Sequence, residues 1–190
     1  NDALFCNNVT KKIDIIYNLA ALISIPYSYV APEVFLNTNI KGTYNICNAA
    51  LQNKVKRVIH VSSSEVYGSL KYSPIDEKHP LQPQSPYSAT KISSEAIAMS
   101  FYYTHNLNVS IARPFNTFGP RQSLRAVIPT IIFQSLKGNK IKLGDLETKR
   151  NFNYIDNTCL GLFSLIKNNQ TIGNILNIGS DDVLKIDQVV

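Results

Sequence analysis

Residues 57–68 read RVIHVSSSEVYG. The opening RVIHV is a short, mostly apolar run rich in β-branched residues, and it stops abruptly at three serines and a glutamate. A run that is apolar without alternation suits a strand covered on both faces, which is the habit of parallel sheets. Working outward, IDIIYNL (13–19) and NVSIAR (108–113) have the same character. Between these strands lie helical patterns from about Glu33 to Gln52 and from Pro86 to about Tyr103. The second has Ala, Ile, Met and Phe at helical spacing, Pro86 suited to a first turn and Ser85 placed to cap it. Strands separated by helices of this length predict an α/β, doubly wound parallel sheet with helices on both faces.

After Gly119-Pro120 the pattern predicts a helix at Val127–Lys137, a short strand at Ile141–Leu143 and another near Phe152–Ile155. A helix from Asp156 to Lys167 and a strand at Asn174–Ile178 return to the core sheet. The expected division is therefore 1–120 for the main sheet and 121–190 for a mixed region. A dinucleotide-binding domain of this class opens with a strand, a glycine-rich turn and a helix facing the pyrophosphate. The chain has eight glycines and no such turn. Either no dinucleotide binds, or the first βαβ unit lies outside the sequence; the opening NDALFCNN, with no Met, reads as a piece of something longer.

Composition narrows the function classes. With 44% apolar and 17% charged residues, the 190-residue chain is globular. Its net charge of +6 is scattered rather than interleaved with aromatics, which argues for a solvated surface and against nucleic acid as partner. Cys6, Cys47 and Cys159 lack metal-ligand spacing with His60, His79 or His105, so no metal is expected and a reducing, cytoplasmic setting fits. The most apolar stretch, YNLAALISIPYSYVAP (17–32), is interrupted by Pro26 and falls short of a membrane span.

Two tyrosines precede a lysine by four residues: Tyr67 with Lys71, and Tyr87 with Lys91. That spacing brings phenol and ammonium together only on a helix. Gly68 and Pro74 make the first pair a turn, whereas nothing breaks the helix that carries the second. A cation beside Tyr87 is expected to lower its pKa toward neutrality and make it a base. The competing reading is a surface helix with a solvated lysine. Ligands in such sheets bind beyond the carboxyl ends of strands, and that is where Ser62–Glu65 fall, although a serine-rich cap would look the same.

The stretches NLAAL (18–22), TNIKGTYNICNAA (38–50), HVSSSEVYG (60–68), SPYSATK (85–91), ARPFNTFGP (112–120), RNFNYID (150–156) and NIGS (177–180) occur in the order and spacing of a known family. The chain resembles the extended short-chain dehydrogenase/reductases that act on nucleotide sugars, over nearly its whole length. AALISIPYSYVAP, PIDEKHPLQPQSPYSATK and GPRQSLRAVIPTII look most like the NAD-dependent 4,6-dehydratases of nucleotide-linked N-acetylglucosamine in legionaminic-acid-type biosynthesis.

The resemblance implies a Rossmann-like fold lacking its first unit, NAD as cofactor, a nucleotide sugar as substrate and a homodimer at full length. It implies catalytic roles for Ser63, Ser64, Glu65, Tyr87 and Lys91. Asn18, Ala20, Ala21, Asn39, Ser62 and Phe115 would lie at the cofactor with Tyr87 and Lys91, and Asn116, Arg121 and Arg150 at the substrate with Ser63. Arg121 and Arg150 would otherwise be solvated charges. Tyr87 would take the 4-hydroxyl proton and Glu65 the C5 proton as water leaves C6. Three positions depart from the family pattern: Ser63 for Thr, Ser64 for the Asp that serves as acid in glucose-type dehydratases, and Asn151 for Asp. Related dehydratases and decarboxylases carry Ser at the second of these.

Overall fold

The computed structural model describes residues 2–138 and 140–190. Four strands form the main sheet: β1 (Ile15–Asn18), β2 (Arg57–Val61), β3 (Val109–Pro114) and β6 (Ile175–Ile178), in the order β1-β2-β3-β6. β1 pairs with β2 and β2 with β3 in parallel, in register from Ile15 opposite Arg57 and from Val58 opposite Val109. The helices between them are α4 (Gly42–Gln52) and α5 (Pro86–His105).

The period-2 alternation of the strands sorts side chains between two helical layers. Val58, Val109 and Ile111 point to one face, where they pack with Cys47 and Ala50 of α4 and Ala98, Met99 and Phe101 of α5. Burial of apolar side chains of this size contributes roughly 1.5–3 kcal/mol each before conformational entropy is set against it. Tyr17, Arg57 and Ser110 point to the other face. There Tyr17 Oη donates to Leu162 O and Arg57 Nη2 to Leu165 O, both carbonyls in the last turns of α7 (Ile155–Lys167). The central strands β2 and β3 are thus covered on both sides, as their apolar runs predict, whereas in the IDIIYNL run Ile13 and Ile15 are exposed and only Asn18 of β1 is fully buried.

The expected helix at 33–52 is continuous but not uniform: α3 (Pro32–Phe35) passes through a π-helical segment, Leu36–Lys41, into α4. Two helices had no clear periodic signal, α1 (Ala3–Val9), capped by Asp2, and α2 (Ile25–Val30), which starts at Pro26 in its first turn.

The chain falls into two compact units, one of residues up to Pro114 with Leu162–Asn177, the other of Phe115–Gly161 with Ile178–Val190. The second unit contains α6 (Val127–Lys137), as expected, and the sheet β4-β5-β7, made of β4 (Asn116–Phe118), β5 (Lys149–Tyr154) and β7 (Val183–Lys185). The strand expected at 141–143 does not form. Gln134 of α6 takes its place as hydrogen-bond partner, accepting from Lys142 N at 2.7 Å and donating to Lys142 O at 3.0 Å. A side-chain amide that satisfies both backbone groups leaves nothing for a ladder.

Candidate active site

Two local structures deliver the reactive groups. At the end of β2 the chain turns through Ser63, whose extended backbone caps a short 3₁₀ turn, Ser64–Val66, with its hydroxyl accepting from Glu65 N at 3.2 Å. Across the first unit, α5 begins with a reciprocal cap: Ser88 N donates to Ser85 Oγ and Ser85 N to Ser88 Oγ, each at 3.0 Å. With Pro86 leading the first turn, Tyr87 is fixed in that turn and Lys91 follows one turn later, both buried.

Ser63 and Glu65 both act on the Tyr87 phenol electrostatically. Burial raises the Tyr87 pKa most, the neighbouring Ser63 hydroxyl lowers it and the Glu65 charge raises it. This corrects the expectation that Lys91 lowers it. The Lys91 ammonium is turned to the end of β2, donating to Val61 O at 2.7 Å. Burial brings the Lys91 pKa down to about 8, with the Glu95 carboxylate opposing the shift.

Beneath this cluster lies a buried network that sequence reading did not single out. Arg113 of β3 forks onto Glu95 of α5, Ser62 Oγ donates to the same carboxylate, and Arg113 Nη1 donates to Tyr67 Oη at 2.9 Å. Tyr67 in turn donates to Asn177 Oδ1 at 2.6 Å, and the Arg113 guanidinium lies 4.9 Å from its ring centre. The phenol of Tyr67 is therefore saturated in the interior while Lys71 is exposed, so the first Tyr-Lys pair is structural. Ser62, expected at the cofactor, has its hydroxyl directed to Glu95.

Asn18 ends β1 and Asn39 sits in the π-helical segment, both buried. Asn39 accepts from Leu22 N at 2.8 Å and donates to Leu22 O at 3.0 Å and Thr90 Oγ1 at 2.9 Å, so it clamps the loop after β1 onto α5. Ala20 is exposed and Ala21 half-buried in that loop. Ser64 is half-buried, and its hydroxyl has no hydrogen bond among the described residues.

In the second unit, Phe115 and Asn116 are half-buried, and Asn116 Nδ2 donates to Asn151 O at 3.2 Å. Arg150 is exposed and borders a recess of about 280 Å³ with Asn116, Val127, Leu143, Asp145 and Phe152. Arg121 is exposed at φ 68° and does not line that recess. Asn151, the departure from Asp, donates to Ser180 O at 2.6 Å and Asp182 O at 2.8 Å and accepts from Ser180 N at 3.1 Å. A carboxylate has no proton for those two carbonyls, so the amide suits this loop. Among the described residues no group of three His, Cys, Asp or Glu is placed to hold a metal, and no helix is long and apolar enough to cross a membrane.

A Rossmann-like parallel sheet of this kind is the architecture of the extended short-chain dehydrogenase/reductases of the dehydratase and epimerase type. The chain belongs to the GDP-mannose 4,6-dehydratase family, which it matches over residues 2–188. It is 35% identical over 179 residues to the dTDP-glucose 4,6-dehydratase of Streptomyces antibioticus, an alignment covering 94% of this chain and 53% of that protein. The human dTDP-D-glucose 4,6-dehydratase is 32% identical, with 95% of this chain and 51% of that protein covered. The chain thus spans about half the length of the curated relatives it matches.

Solved structures agree. DesIV, the dTDP-glucose 4,6-dehydratase of Streptomyces venezuelae crystallised with NAD, superposes with a TM-score of 0.92 at 32% identity over 99% of this chain and 58% of its own. The UDP-N-acetylglucosamine 4-epimerase of Methanobrevibacter ruminantium M1 reaches 0.90 at 31% identity, over 100% of this chain and 63% of its own.

Proposed function

We propose that this chain is the catalytic part of an NAD-dependent nucleotide-sugar 4,6-dehydratase acting on UDP- or GDP-linked N-acetylglucosamine, cytoplasmic and homodimeric at its natural length. The observation that carries the reading is the convergence of Ser63 and Glu65 on the phenol of Tyr87. The N-acetylglucosamine assignment is supported by the stretches AALISIPYSYVAP and PIDEKHPLQPQSPYSATK. Unit two, with Asn116 and Arg150 at its recess, is the proposed substrate region, the guanidinium pairing with diphosphate oxygens. Arg121 completes the proposed substrate set, and Phe115, next to Asn116 in the chain, is proposed at the cofactor.

The residues fit the cofactor. Lys91 donates one N–H to Val61 O, and the other two have no acceptor among the described residues, so a buried ammonium is left with two donors for a vicinal ribose diol. Asn18, Ala20, Ala21 and Ser62, at and just beyond the ends of β1 and β2, with Asn39 holding the loop after β1, are the proposed cofactor contacts, Ser62 through its backbone since its hydroxyl is given to Glu95. Bound NAD supplies the reversible oxidation at C4 that makes the C5 proton acidic, and it is restored within one turnover.

Every proton movement falls to this chain. Tyr87 takes the proton of the 4-hydroxyl, with Ser63 bonded to the same oxygen. Glu65 removes the C5 proton as the C5=C6 double bond forms and the C6–O bond breaks. Ser64, a hydroxyl where glucose-type enzymes hold a carboxylic acid, cannot supply the proton for departing water. Glu65 therefore passes the C5 proton to that oxygen, with Ser64 orienting it. A 4-epimerase, the activity of one solved relative, needs no carboxylate at C5, and Glu65 beside Tyr87 favours elimination. A nucleotide-glucuronate decarboxylase shares the C4 oxidation but loses carbon dioxide, not water.

Tyr87→Phe in the natural-length protein separates an enzyme from a non-catalytic nucleotide-binding protein of the same fold. Loss of the base lowers turnover by about 10²–10⁴-fold; turnover unchanged within a factor of two removes Tyr87 from the chemistry.

A further inference from the structure

His60, 2% exposed on β2, lies between Asn18 of β1 and Ser94 of α5. Its Nδ1 is 3.2 Å from Asn18 Nδ2 and its Nε2 is 2.9 Å from Ser94 Oγ. The two ends of this chain of contacts decide its direction. Thr43 gives its single hydroxyl proton to Asn39 O at 2.7 Å, so toward Asn18 Nδ2, 3.5 Å away, it can only accept. Ser94 gives its proton to Lys91 O at 2.8 Å, so toward His60 it too can only accept.

His60 therefore carries its proton on Nε2 and presents a lone pair at Nδ1, which takes an N–H of Asn18. Both amide protons of Asn18 then run into the protein. Its Oδ1 has no protein donor among the described residues and is not sealed from solvent. The flipped amide would set that oxygen against the Nδ1 lone pair and the Thr43 oxygen, two repulsive contacts in place of two bonds.

We propose that His60 is a positioning residue that locks the Asn18 carboxamide with Oδ1 facing the crevice beyond β1, as acceptor for a hydroxyl or N–H of the bound ligand. Only the identity of that ligand, a dinucleotide with its ribose hydroxyls, rests on the function proposed above. A neutral ring is required, and burial together with the Lys91 charge holds the His60 pKa well below its ordinary value. The same chain of bonds ends on Lys91 O, tying the acceptor to the α5 turn that begins at Lys91.

Long-range ¹H–¹⁵N correlation of the histidine rings at pH 7, with His60→Phe to assign the signal, reads the tautomer directly. A protonated Nε2 and an unprotonated Nδ1 are expected; a proton on Nδ1 reverses the amide and overturns the inference. Titration of NAD into the natural-length protein provides the second arm. Asn18→Leu and His60→Phe are each expected to weaken binding about tenfold, the weight of one neutral hydrogen bond. Unchanged affinity in Asn18→Leu also overturns the inference. If the wild type takes up no NAD, it is the cofactor reading that fails, and the tautomer alone then decides how Asn18 is held.

Discussion

Arg113 and Glu95 face each other as a bidentate ion pair, Nε to Oε1 at 2.9 Å and Nη2 to Oε2 at 2.6 Å, with side chains 2% and 4% exposed. The pair joins β3 to α5 directly below the turn that carries Ser63 and Glu65, because Ser62 hangs from the same carboxylate. Two charges this deep are costly to desolvate and tolerable only together. Arg113→Met alone leaves Glu95 uncompensated and is expected to cost about 3–5 kcal/mol in urea denaturation. Arg113→Met/Glu95→Leu should cost clearly less than either single change. A double variant as damaged as the sum of the singles would mean that the two side chains do not act as a pair.

Asn151 offers a test in the second unit. Its amide donates to Ser180 O and Asp182 O, and Asn151→Asp replaces both donors with a charge facing carbonyl oxygens. A loss of about 1–3 kcal/mol is expected from calorimetry. An unchanged melting temperature would show that the loop does not depend on the amide.

Lys91 gives stability a pH dependence of definite sign. Its folded pKa of about 8 lies below the ordinary 10.5 of the unfolded chain. Between those values the unfolded state holds more protons, so this group makes stability rise with pH from about 8 to 10.5. Below that window the buried ammonium carries a penalty on the order of 3 kcal/mol at most. Lys91→Met removes this slope: relative to wild type it should be most favoured at pH 7 and lose the advantage by pH 10.5. Parallel stability curves for the two proteins would contradict the burial of a charged amine. The variant should also lose affinity for NAD, which a mere change in how the side chain packs would not cause.

Much of this was legible in the sequence because it is written locally. The helix of Tyr87 is announced by Ser85, Pro86 and an unbroken apolar period, and the Tyr67 turn by Gly68 and Pro74, so the local structure around each tyrosine was legible in the sequence. The π-helical segment that carries Asn39 has no compositional signal, since one extra residue in a turn changes no residue type. The failed strand at 141–143 depends on Gln134, a partner supplied by α6. Arg113, Glu95 and His60 act through pairings between β3, α5, β2 and β1, and spacing along the chain is blind to such pairings. The direction of the Tyr87 shift was misread because the spacing of Lys91 was clear, whereas its hydrogen bond to Val61 O, which turns the ammonium away, was not.

The most direct test is to incubate the natural-length protein with NAD and UDP- or GDP-N-acetylglucosamine and follow the sugar by mass spectrometry and the cofactor by absorbance at once. The expected result is conversion to a 4-keto-6-deoxy sugar lighter by one water, with no net NADH. A product that retains the C6 oxygen, or NADH accumulating in step with sugar consumed, would contradict the assignment of Glu65 and Tyr87 to a dehydration.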